Sequence, residues 1–461
     1  MEILVVGTSY KTAPLTLRER LAFPPWALGP ALDELAAVVP EGVILSTCHR
    51  VELYAAAPDP QLAMAALERF WCQQRGLPLS LLEPHLYRLT ASAAAQHLFS
   101  VACGLDSAVI GEAQILGQVR DALLAALQHH AAGLTLSALF RHAQAAGKRA
   151  RAQTTIGRRA ASTSSAAVEL ALHLFGDLRS SRVLLVGAGK MGHLVARNLL
   201  QKSVAGIAVV GRTSDRARQL ALDCGGDVAL ARLEEGLRSC DIVITCTTAP
   251  HYVLHTQTLA RVMAERPARR LLLIDLAVPR DVEPAAADLP GVRLFNIDDL
   301  QHIVDANLSS RQAEAANLAP LLAQELARFQ RWLATQSVVP TIAALRRHAE
   351  DIRRRELART QAVLAPLSDD DRRRIEALTL AIQKKLLHDP IALLRAAALG
   401  GQGDLTARFV RRLFALDDTD HGYRAGPADG EIAGPRLPSG HGRRGAVGQA
   451  PAHVPMDTHV P

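Results

Sequence analysis

The chain has 461 residues, of which 49% are hydrophobic and 21% charged, and its formal net charge is +7. This length exceeds what one ordinary core supports, so we expect two or three domains with the composition of a soluble globular protein. No apolar run reaches the roughly 20 residues that span a bilayer. The N-terminus lacks the basic lead of a signal peptide, and the six cysteines contain no Cys-x-x-Cys pair. These features predict a cytoplasmic protein and disfavour a membrane span, a zinc knuckle and a disulfide framework.

The first 75 residues alternate between strand and helix patterns. Residues 2–6 have the pattern of a strand, and residues 7–14 form a loop rich in hydroxyl groups. Helical spacing follows at 17–21, 31–38 and 61–74. This order predicts a small α+β domain of the split βαβ type, with helices on one face of its sheet.

Residues 46–52 read Ser-Thr-Cys-His-Arg-Val-Glu and lie between two apolar segments, a pattern typical of strand, tight loop and strand. The thiol of Cys48 stands between a hydroxyl group and two potential cations, His49 and Arg50. Neighbouring positive charge lowers a thiol pKa and favours the nucleophilic thiolate. Arg50 can hold a carboxylate through two parallel hydrogen bonds. Taken alone, the pattern fits a buried structural cysteine about as well.

A helical stretch follows over residues 92–157. His97 lies on an apolar helix, where a histidine is more often a satisfied core residue than a catalyst. Residues 104–120 combine glycines with polar side chains in an otherwise apolar run, the main ones being Glu112, Gln114 and Gln118. Buried polar groups need partners, which a polar ligand would supply. A capped loop–helix junction with a solvated polar face is the alternative.

Basic residues then cluster in the sequence: Arg141, His142, Lys148, Arg149, Arg151, Arg158 and Arg159. Lys148 and Arg151 share one helix face at a spacing of three. Such a stripe fits either contact with phosphates or a solvated helix face.

The character of the chain changes at residue 181. The apolar strand 182–186 runs into a G-x-G-x-x-G motif and then a helical pattern, and further apolar strands follow at 207–210, 242–244 and 271–274. The motif consists of Gly187, Ala188, Gly189, Lys190, Met191 and Gly192. Its glycines let the backbone approach a pyrophosphate at the helix N-terminus, which predicts a Rossmann domain. The second strand ends in Arg212, Thr213 and Ser214 instead of an acidic residue, which favours NADPH over NADH.

The last part of the chain is predicted to be helical and then disordered. Residues 313–333 have helical periodicity with Glu325 and Arg328 exposed, and Pro320 predicts a kink or a break. Residues 339–342 end this helix, and the amphipathic helices that follow are expected to pack against another chain. From residue 417 the composition turns to Gly, Pro, His and Asp, which predicts a disordered tail.

Over residues 1–413 the chain resembles the glutamyl-tRNA reductases, which catalyse the first step of the five-carbon route to tetrapyrroles. Seven stretches of the sequence carry the resemblance: Lys-Thr-Ala-Pro at 11–14 with Arg18-Glu19, the loop 46–52, the stretch 104–118, Gly-Lys-Arg at 147–149 with Ile156-Gly157, the segment 164–169, the glycine motif 187–192 and Asp-Leu-Ala-Val-Pro-Arg-Asp at 275–281. The family fold is an α/β multidomain arrangement along a long spinal helix. It implies a catalytic domain at 1–157, an NADPH-binding Rossmann domain at 158–298, a spinal helix with a dimerisation domain at 299–416 and a tail at 417–461.

The resemblance also implies roles for individual residues. Cys48 matches the nucleophile that takes the glutamyl group from its tRNA as a thioester, which hydride from NADPH reduces to glutamate 1-semialdehyde. His97 matches a histidine important for activity. The glutamyl group is expected to contact Thr47, Cys48, His49, Arg50, Ser107, Glu112, Ala113, Gln114 and Gln118. The implied partners are glutamyl-tRNA, a second copy of the chain and glutamate-1-semialdehyde 2,1-aminomutase.

This sequence departs from the family pattern at four positions, and two other classes of function remain open. The departures are His49 for the usual Asn, Tyr10 for His, Ala108 for Met and Gly211 for Asn. One rival is a dehydrogenase that uses Cys48 and a nicotinamide but no tRNA. The other is a non-catalytic nucleotide-sensing dimer in which Cys48 is structural.

Overall fold

The computed structural model describes residues 1–107, 113–153, 163–211, 214–224, 228–267, 269–304 and 308–417. Several positions singled out above lie outside the described residues: Ala108, Glu112, Ile156, Gly157, Arg158, Arg159, Arg212, Thr213 and residues 418–461. In the part of the chain that is described, none of the helices is both long enough and apolar enough to cross a membrane.

The N-terminal domain is built on a four-stranded antiparallel sheet. Its strands are β1 (Glu2–Ser9), β2 (Glu41–Ser46), β3 (Arg50–Ala57) and β4 (Tyr87–Thr90), in the order β2-β3-β1-β4. This order is that of the predicted split βαβ fold, in which β3 lies between the first two strands of the chain. Strand β1 is longer than predicted, because Gly7 still pairs with Glu52 of β3 and Tyr87 of β4.

Seven α-helices surround this sheet: α1 (Leu15–Leu21), α2 (Pro25–Val38), α3 (Pro60–Arg75), α4 (Leu79–Leu82), α5 (Ala91–Ala102), α6 (Ala113–Gln128) and α7 (Leu134–Gln153). Every residue of β3 is buried, so helices cover both faces of the sheet, and the prediction of helices on one face was wrong. Tyr54 of β3 meets Phe140 of α7 edge to face at 5.3 Å, whereas Trp71 of α3 donates to the Leu21 carbonyl. The helical stretch that was predicted as a separate segment thus completes the core of this domain.

The second domain is a doubly wound sheet of six parallel strands. They are β5 (Arg182–Val186), β6 (Gly206–Val210), β7 (Val228–Leu230), β8 (Ile242–Thr245), β9 (Leu271–Asp275) and β10 (Val292–Asn296), in the order β10-β9-β8-β5-β6-β7. Its helices are α8 (Thr163–Phe175), α9 (Lys190–Gln201), α10 (Ser214–Asp223), α11 (Leu233–Ser239), α12 (Thr256–Ala264) and α13 (Ile297–Val304). One apolar cluster lies on each face of the sheet. The strand order reverses between β5 and β8, where sheets of this kind bind ligands.

The remaining elements are helical: α14 (Leu308–Gln336), α15 (Val339–Arg359), α16 (Gln361–Leu364), α17 (Asp369–Leu399) and α18 (Gly403–Leu413). Pro320 lies within α14 without ending it. Residues 339–342 begin α15 instead of ending the preceding pattern. Pro340 is tolerated there because the first turn of a helix has no partner for its N–H groups.

Helix α14 packs on the N-terminal domain, and this contact overturns one prediction. Leu318, Leu322 and Phe329 of α14 belong to the core of that domain. Glu325, which was predicted to be exposed, is buried: its carboxylate accepts from His142 Nδ1 at 2.7 Å and pairs with Arg149. A buried carboxylate needs such partners, and two residues of the basic cluster supply them. Arg328 is exposed as predicted.

Candidate active site

Cys48 lies at the tip of the hairpin that joins β2 to β3. The Thr47 N–H donates to the Arg50 carbonyl at 2.8 Å and closes the turn. The Thr47 hydroxyl oxygen accepts from the N–H groups of His49 and Arg50 at 3.3 and 3.2 Å, so its side chain fixes the turn from inside. Cys48 itself is half-buried. The sequence prediction of strand, tight loop and strand is confirmed.

The side chain beside Cys48 is a neutral histidine. The Cys48 Sγ lies 3.6 Å from His49 Nδ1. Burial, together with the positive charges of Arg18 and Arg50, lowers the pKa of His49 to about 3. His49 is therefore not one of the two cations that the sequence suggested, since at neutral pH it offers a hydrogen bond and no charge. The His49 ring also makes a T-shaped contact with the Tyr10 ring, with centroids 5.9 Å apart.

Arg50 is fully buried, and acidic groups of the chain surround its guanidinium. Nη1 donates to Glu52 Oε1 at 2.8 Å and to Asp106 Oδ2 at 3.0 Å, and Nη2 donates to the Asp106 carbonyl. Burial alone would lower the pKa of Arg50, but the negative charges of Glu52 and Asp106 raise it above its ordinary value. Arg50 is thus permanently charged. To accept two parallel hydrogen bonds from the Arg50 guanidinium, as predicted, the carboxylate of a ligand would have to replace Asp106.

Glu52 collects four hydrogen bonds and connects Arg50 to His97. Its Oε1 accepts from Arg50, from the Tyr87 hydroxyl at 2.5 Å and from His97 Nε2 at 2.8 Å. Its Oε2 accepts from the Tyr54 hydroxyl at 2.6 Å. Burial by itself would raise the pKa of Glu52, but His97, Arg50 and these hydrogen bonds hold it far below the usual range. His97 therefore lies in a charged network behind the cysteine hairpin.

This network could not be predicted from the sequence, because its members come from three distant segments. Arg50, Glu52 and Tyr54 alternate along β3 and so point to one face of the strand. The sequence does contain one signal of a buried polar cluster: three polar residues lie on one face of a strand whose other residues are apolar. Nothing in the sequence pairs them with Tyr87 or His97.

Asp106 and Ser107, which follow Gly104, lie beside the hairpin. Ser107 is buried, and its carbonyl accepts from the Tyr10 hydroxyl at 3.5 Å. Ala113 begins α6, and Gln114 and Gln118 are half-buried on that helix. Gln114 Nε2 lies 3.8 Å from the Sδ of Met191 in the glycine motif. The structure therefore brings the predicted substrate-binding helix into contact with the predicted cofactor loop.

The glycine motif has the geometry that a dinucleotide needs. Gly187 has a φ of +117°, and its N–H donates to the Val210 carbonyl at 2.8 Å. A Cβ on Gly192 would lie 2.2 Å from the Gly187 carbonyl oxygen, whereas a Cβ on Gly189 would meet nothing within 4 Å. Gly189 precedes α9 and offers no side-chain cap, so the first N–H groups of α9 can bind an anion. These residues fit the pyrophosphate of a nicotinamide dinucleotide.

The remaining predicted cofactor residues are described only in part. Lys190 is exposed, and Ala188 and Met191 are half-buried at the start of α9. Ser214 begins α10, while Arg212 and Thr213 lie outside the described residues. The choice between NADPH and NADH therefore stays a prediction.

Two buried carboxylates of the motif at 275–281 anchor the loop after β9. Asp275 accepts from the N–H groups of Ala277 and Val282, both at 3.0 Å, and from the Thr245 hydroxyl at 2.8 Å. Burial raises the pKa of Asp275 to about 7. Asp281 accepts from the Thr247 N–H at 2.8 Å. This loop lies at the carboxyl end of the parallel sheet, next to the expected ligand crevice.

Comparison with known proteins agrees with this division of the chain. The model of the N-terminal domain of glutamyl-tRNAGlu reductase matches residues 6–154, that of shikimate/quinate 5-dehydrogenase matches residues 169–303, and that of the glutamyl-tRNAGlu reductase dimerisation domain matches residues 319–416. The glutamyl-tRNA reductase of Trichlorobacter lovleyi is 42% identical over 420 residues, which cover 90% of this chain and 97% of the relative. That of Moorella thermoacetica is 44% identical over 420 residues, with coverages of 90% and 95%.

Among solved structures, the glutamyl-tRNA reductase from Methanopyrus kandleri is 31% identical, covers 90% of this chain and 99% of its own, and has a TM-score of 0.45. The fold, the glycine motif, the family models and the curated relatives define a multidomain oxidoreductase with an NAD(P)-binding domain. The chain belongs to the glutamyl-tRNA reductase family, whose members initiate tetrapyrrole synthesis.

Proposed function

We propose that this chain reduces glutamyl-tRNA to glutamate 1-semialdehyde with NADPH, through a thioester on Cys48. The observation that carries the proposal is the position of Cys48, half-buried at the tip of a hairpin whose base is rigidly held. Other cysteines are poor candidates, because burial raises the pKa of Cys103 and of Cys240 to about 12 and that of Cys246 still further.

In this mechanism the Cys48 sulfur attacks the carbonyl carbon of the glutamyl ester. A carbon–sulfur bond forms, and the ester bond to the terminal ribose breaks. The leaving ribose oxygen takes up the proton that the thiol loses and departs as the tRNA hydroxyl. Covalent capture divides one difficult reaction into two easier ones. A bound NADPH supplies the hydride that turns the acyl group into an aldehyde.

The surrounding residues hold this geometry. We assign to Thr47 the task of keeping the turn closed so that the sulfur stays at its tip. His49 offers a neutral hydrogen bond to the sulfur. His97 acts at a distance, by holding Glu52 and through it Arg50.

The glutamyl side chain is expected to bind along the start of α6. The residues proposed to contact it are Arg50, Ser107, Glu112, Ala113, Gln114 and Gln118. The support is that Arg50 begins the second strand of the hairpin, and that Ser107 contacts Tyr10, whose N–H donates to the His49 carbonyl. In addition, Gln114 touches the glycine motif through Met191.

The test is a turnover assay with charged glutamyl-tRNA and NADPH, paired with trapping of labelled glutamate on the protein in the absence of reductant. We expect label at position 48 and its complete loss in Cys48→Ser. Cys72→Ser is the matched control, because Cys72 is also half-buried but lies on α3. Turnover of free or activated glutamate without tRNA would favour the tRNA-independent dehydrogenase, whereas turnover of glutaminyl-tRNA at an equal rate would contradict selectivity for the glutamyl group. NADPH binding without any turnover would favour the nucleotide sensor.

Cofactor choice and assembly have separate tests. Arg212→Glu is expected to shift the preference from NADPH towards NADH, and an unchanged ratio of Michaelis constants contradicts the role of Arg212. We propose a homodimer through the C-terminal helices, where large apolar side chains such as Leu386 and Phe409 are exposed. Sedimentation of Leu386→Asp against wild type tests this, and mixing with the aminomutase tests the expected complex.

A further inference from the structure

Two adjacent residues of α1 form ion pairs with the dinucleotide-binding domain. Glu19 accepts three hydrogen bonds from Arg280: from its backbone N–H at 2.7 Å, from Nε at 2.8 Å and from Nη2 at 2.9 Å. Both side chains are largely buried, with 13% and 17% of their surface exposed. A two-pronged contact of this kind fixes direction as well as distance.

The second ion pair reaches the backbone of the reactive cysteine. Arg18 is almost fully buried, and its Nη2 pairs with the carboxylate of Asp298 at the start of α13. The same guanidinium donates through Nη1 to the Cys48 carbonyl and through Nε to the Ala13 carbonyl at 3.2 Å. One side chain therefore connects the cysteine turn to the other domain.

Both contact points on the dinucleotide-binding domain lie at the carboxyl ends of its strands. Arg280 belongs to the loop after β9 that Asp275 and Asp281 anchor, and Asp298 follows β10. Ligands of doubly wound sheets bind along this edge. Each ion pair therefore joins α1 to the edge of the sheet where a dinucleotide is expected to bind.

We propose that the Glu19–Arg280 and Arg18–Asp298 pairs, which we name the α1 latch, position the dinucleotide-binding domain for reduction of the Cys48 thioester. This inference rests on the proposed function. In reduction, a hydride carrying two electrons from NADPH adds to the thioester carbon, the carbon–sulfur bond breaks, and the aldehyde leaves a thiolate that takes up a proton. In hydrolysis, water attacks the same carbon and releases glutamate and the thiol. The two reactions compete, so the position of the domain sets their ratio.

Charge reversal tests the latch. In Glu19→Lys and in Arg280→Glu we expect the ratio of aldehyde to glutamate to fall about tenfold or more, because small misplacements have effects of that size or larger. Labelled thioester should still form at the wild-type rate without NADPH. The double variant Glu19→Lys with Arg280→Glu should recover at least half of the lost ratio.

A second measurement does not depend on turnover. The Arg280 N–H donates to Glu19 across the domain boundary, so its hydrogen exchange reports the closed latch directly. We expect Glu19→Gln to speed exchange in the peptide 276–283 without NADPH. Asp298→Asn, which breaks the other pair, should shift the product ratio in the same direction. Arg238→Glu is the control, since Arg238 pairs with Glu265 inside the dinucleotide-binding domain.

The outcomes separate the latch from the proposed function. The latch is overturned if all latch variants keep the wild-type ratio of aldehyde to glutamate and the wild-type hydrogen exchange. It is also overturned if the double variant is folded but has no higher ratio than the single variants. Absence of label on wild-type Cys48 overturns the proposed function itself. A shift in Arg238→Glu equal to that in Arg280→Glu shows a general charge effect and also overturns the latch.

Discussion

Replacing Glu52 with Gln removes a negative charge from the centre of the N-terminal domain and keeps the shape of the side chain. Glu52 has no exposed surface and accepts from Arg50, Tyr54, Tyr87 and His97. The amide can still accept at one atom, and the Tyr54 hydroxyl can turn to accept at the other. The main loss is therefore the charge that faces Arg50.

Removing one partner of a buried ion pair costs about 3–5 kcal/mol, because the remaining charge is left uncompensated. Arg50 keeps Asp106 at 3.0 Å, so we expect Glu52→Gln to lower the free energy of unfolding by about 3 kcal/mol, at the low end of this range. Tyr54→Phe, which removes one hydrogen bond and no charge, should cost about 1 kcal/mol.

Urea titration followed by tryptophan fluorescence measures this domain selectively. All three tryptophans, Trp26, Trp71 and Trp332, lie in the N-terminal domain or on the helix packed against it. The pKa of Glu52 is depressed in the folded chain, so its contribution is complete above the ordinary carboxyl pKa and is lost as pH falls towards the folded value. The difference between wild type and Glu52→Gln should be constant from about pH 8 to 5 and should narrow below about pH 4. A loss under about 1 kcal/mol at pH 7, or a difference that widens in acid, would refute this reasoning.

Two further predictions use the same protein preparations. The pKa of His49 is lowered to about 3 in the folded chain. Below about pH 6.5 the unfolded chain therefore binds a proton at this residue that the folded chain does not bind, so the free energy of unfolding decreases as the pH is lowered. Wild type should lose about 2 kcal/mol more than His49→Asn between pH 7 and pH 5, and parallel pH curves from the fluorescence titration would contradict this. Gly192→Ala forces the loop to move, because its Cβ would lie 2.2 Å from the Gly187 carbonyl oxygen. Calorimetric titration should show NADPH binding weakened about tenfold or more, while Gly206→Ala, whose Cβ has open space, should bind as wild type does.

The elements that were predicted correctly depend on local signals. The glycine spacing and the apolar strands specify the turn before α9, and the apolar runs on either side of Cys48 specify its hairpin. The burial of Glu325 could not be predicted this way. Its partners His142 and Arg149 lie about 180 residues away in sequence, and helical periodicity alone placed it on the solvent side.

In the candidate site, too, local sequence signals could be read but contacts between distant segments could not. Cys48, Arg50 and the glycine motif were singled out as candidates because their motifs are continuous in sequence. Glu52 was not, because its role depends on donors from β4 and α5. Whether His49 carries a charge could not be predicted either, since a sequence shows neighbouring cations but not the burial that keeps an imidazole neutral.

The packing of α14 on the N-terminal domain has a consequence for protein synthesis. Leu318, Leu322 and Phe329 fill the core of a domain whose own strands and helices are complete by residue 153. At about 5–20 residues per second, a ribosome needs roughly 9–35 s to travel from that point to Phe329. During this interval the nascent N-terminal domain exposes the apolar groove that α14 later covers. We expect chaperones that bind apolar surfaces to associate with this protein until α14 has left the exit tunnel.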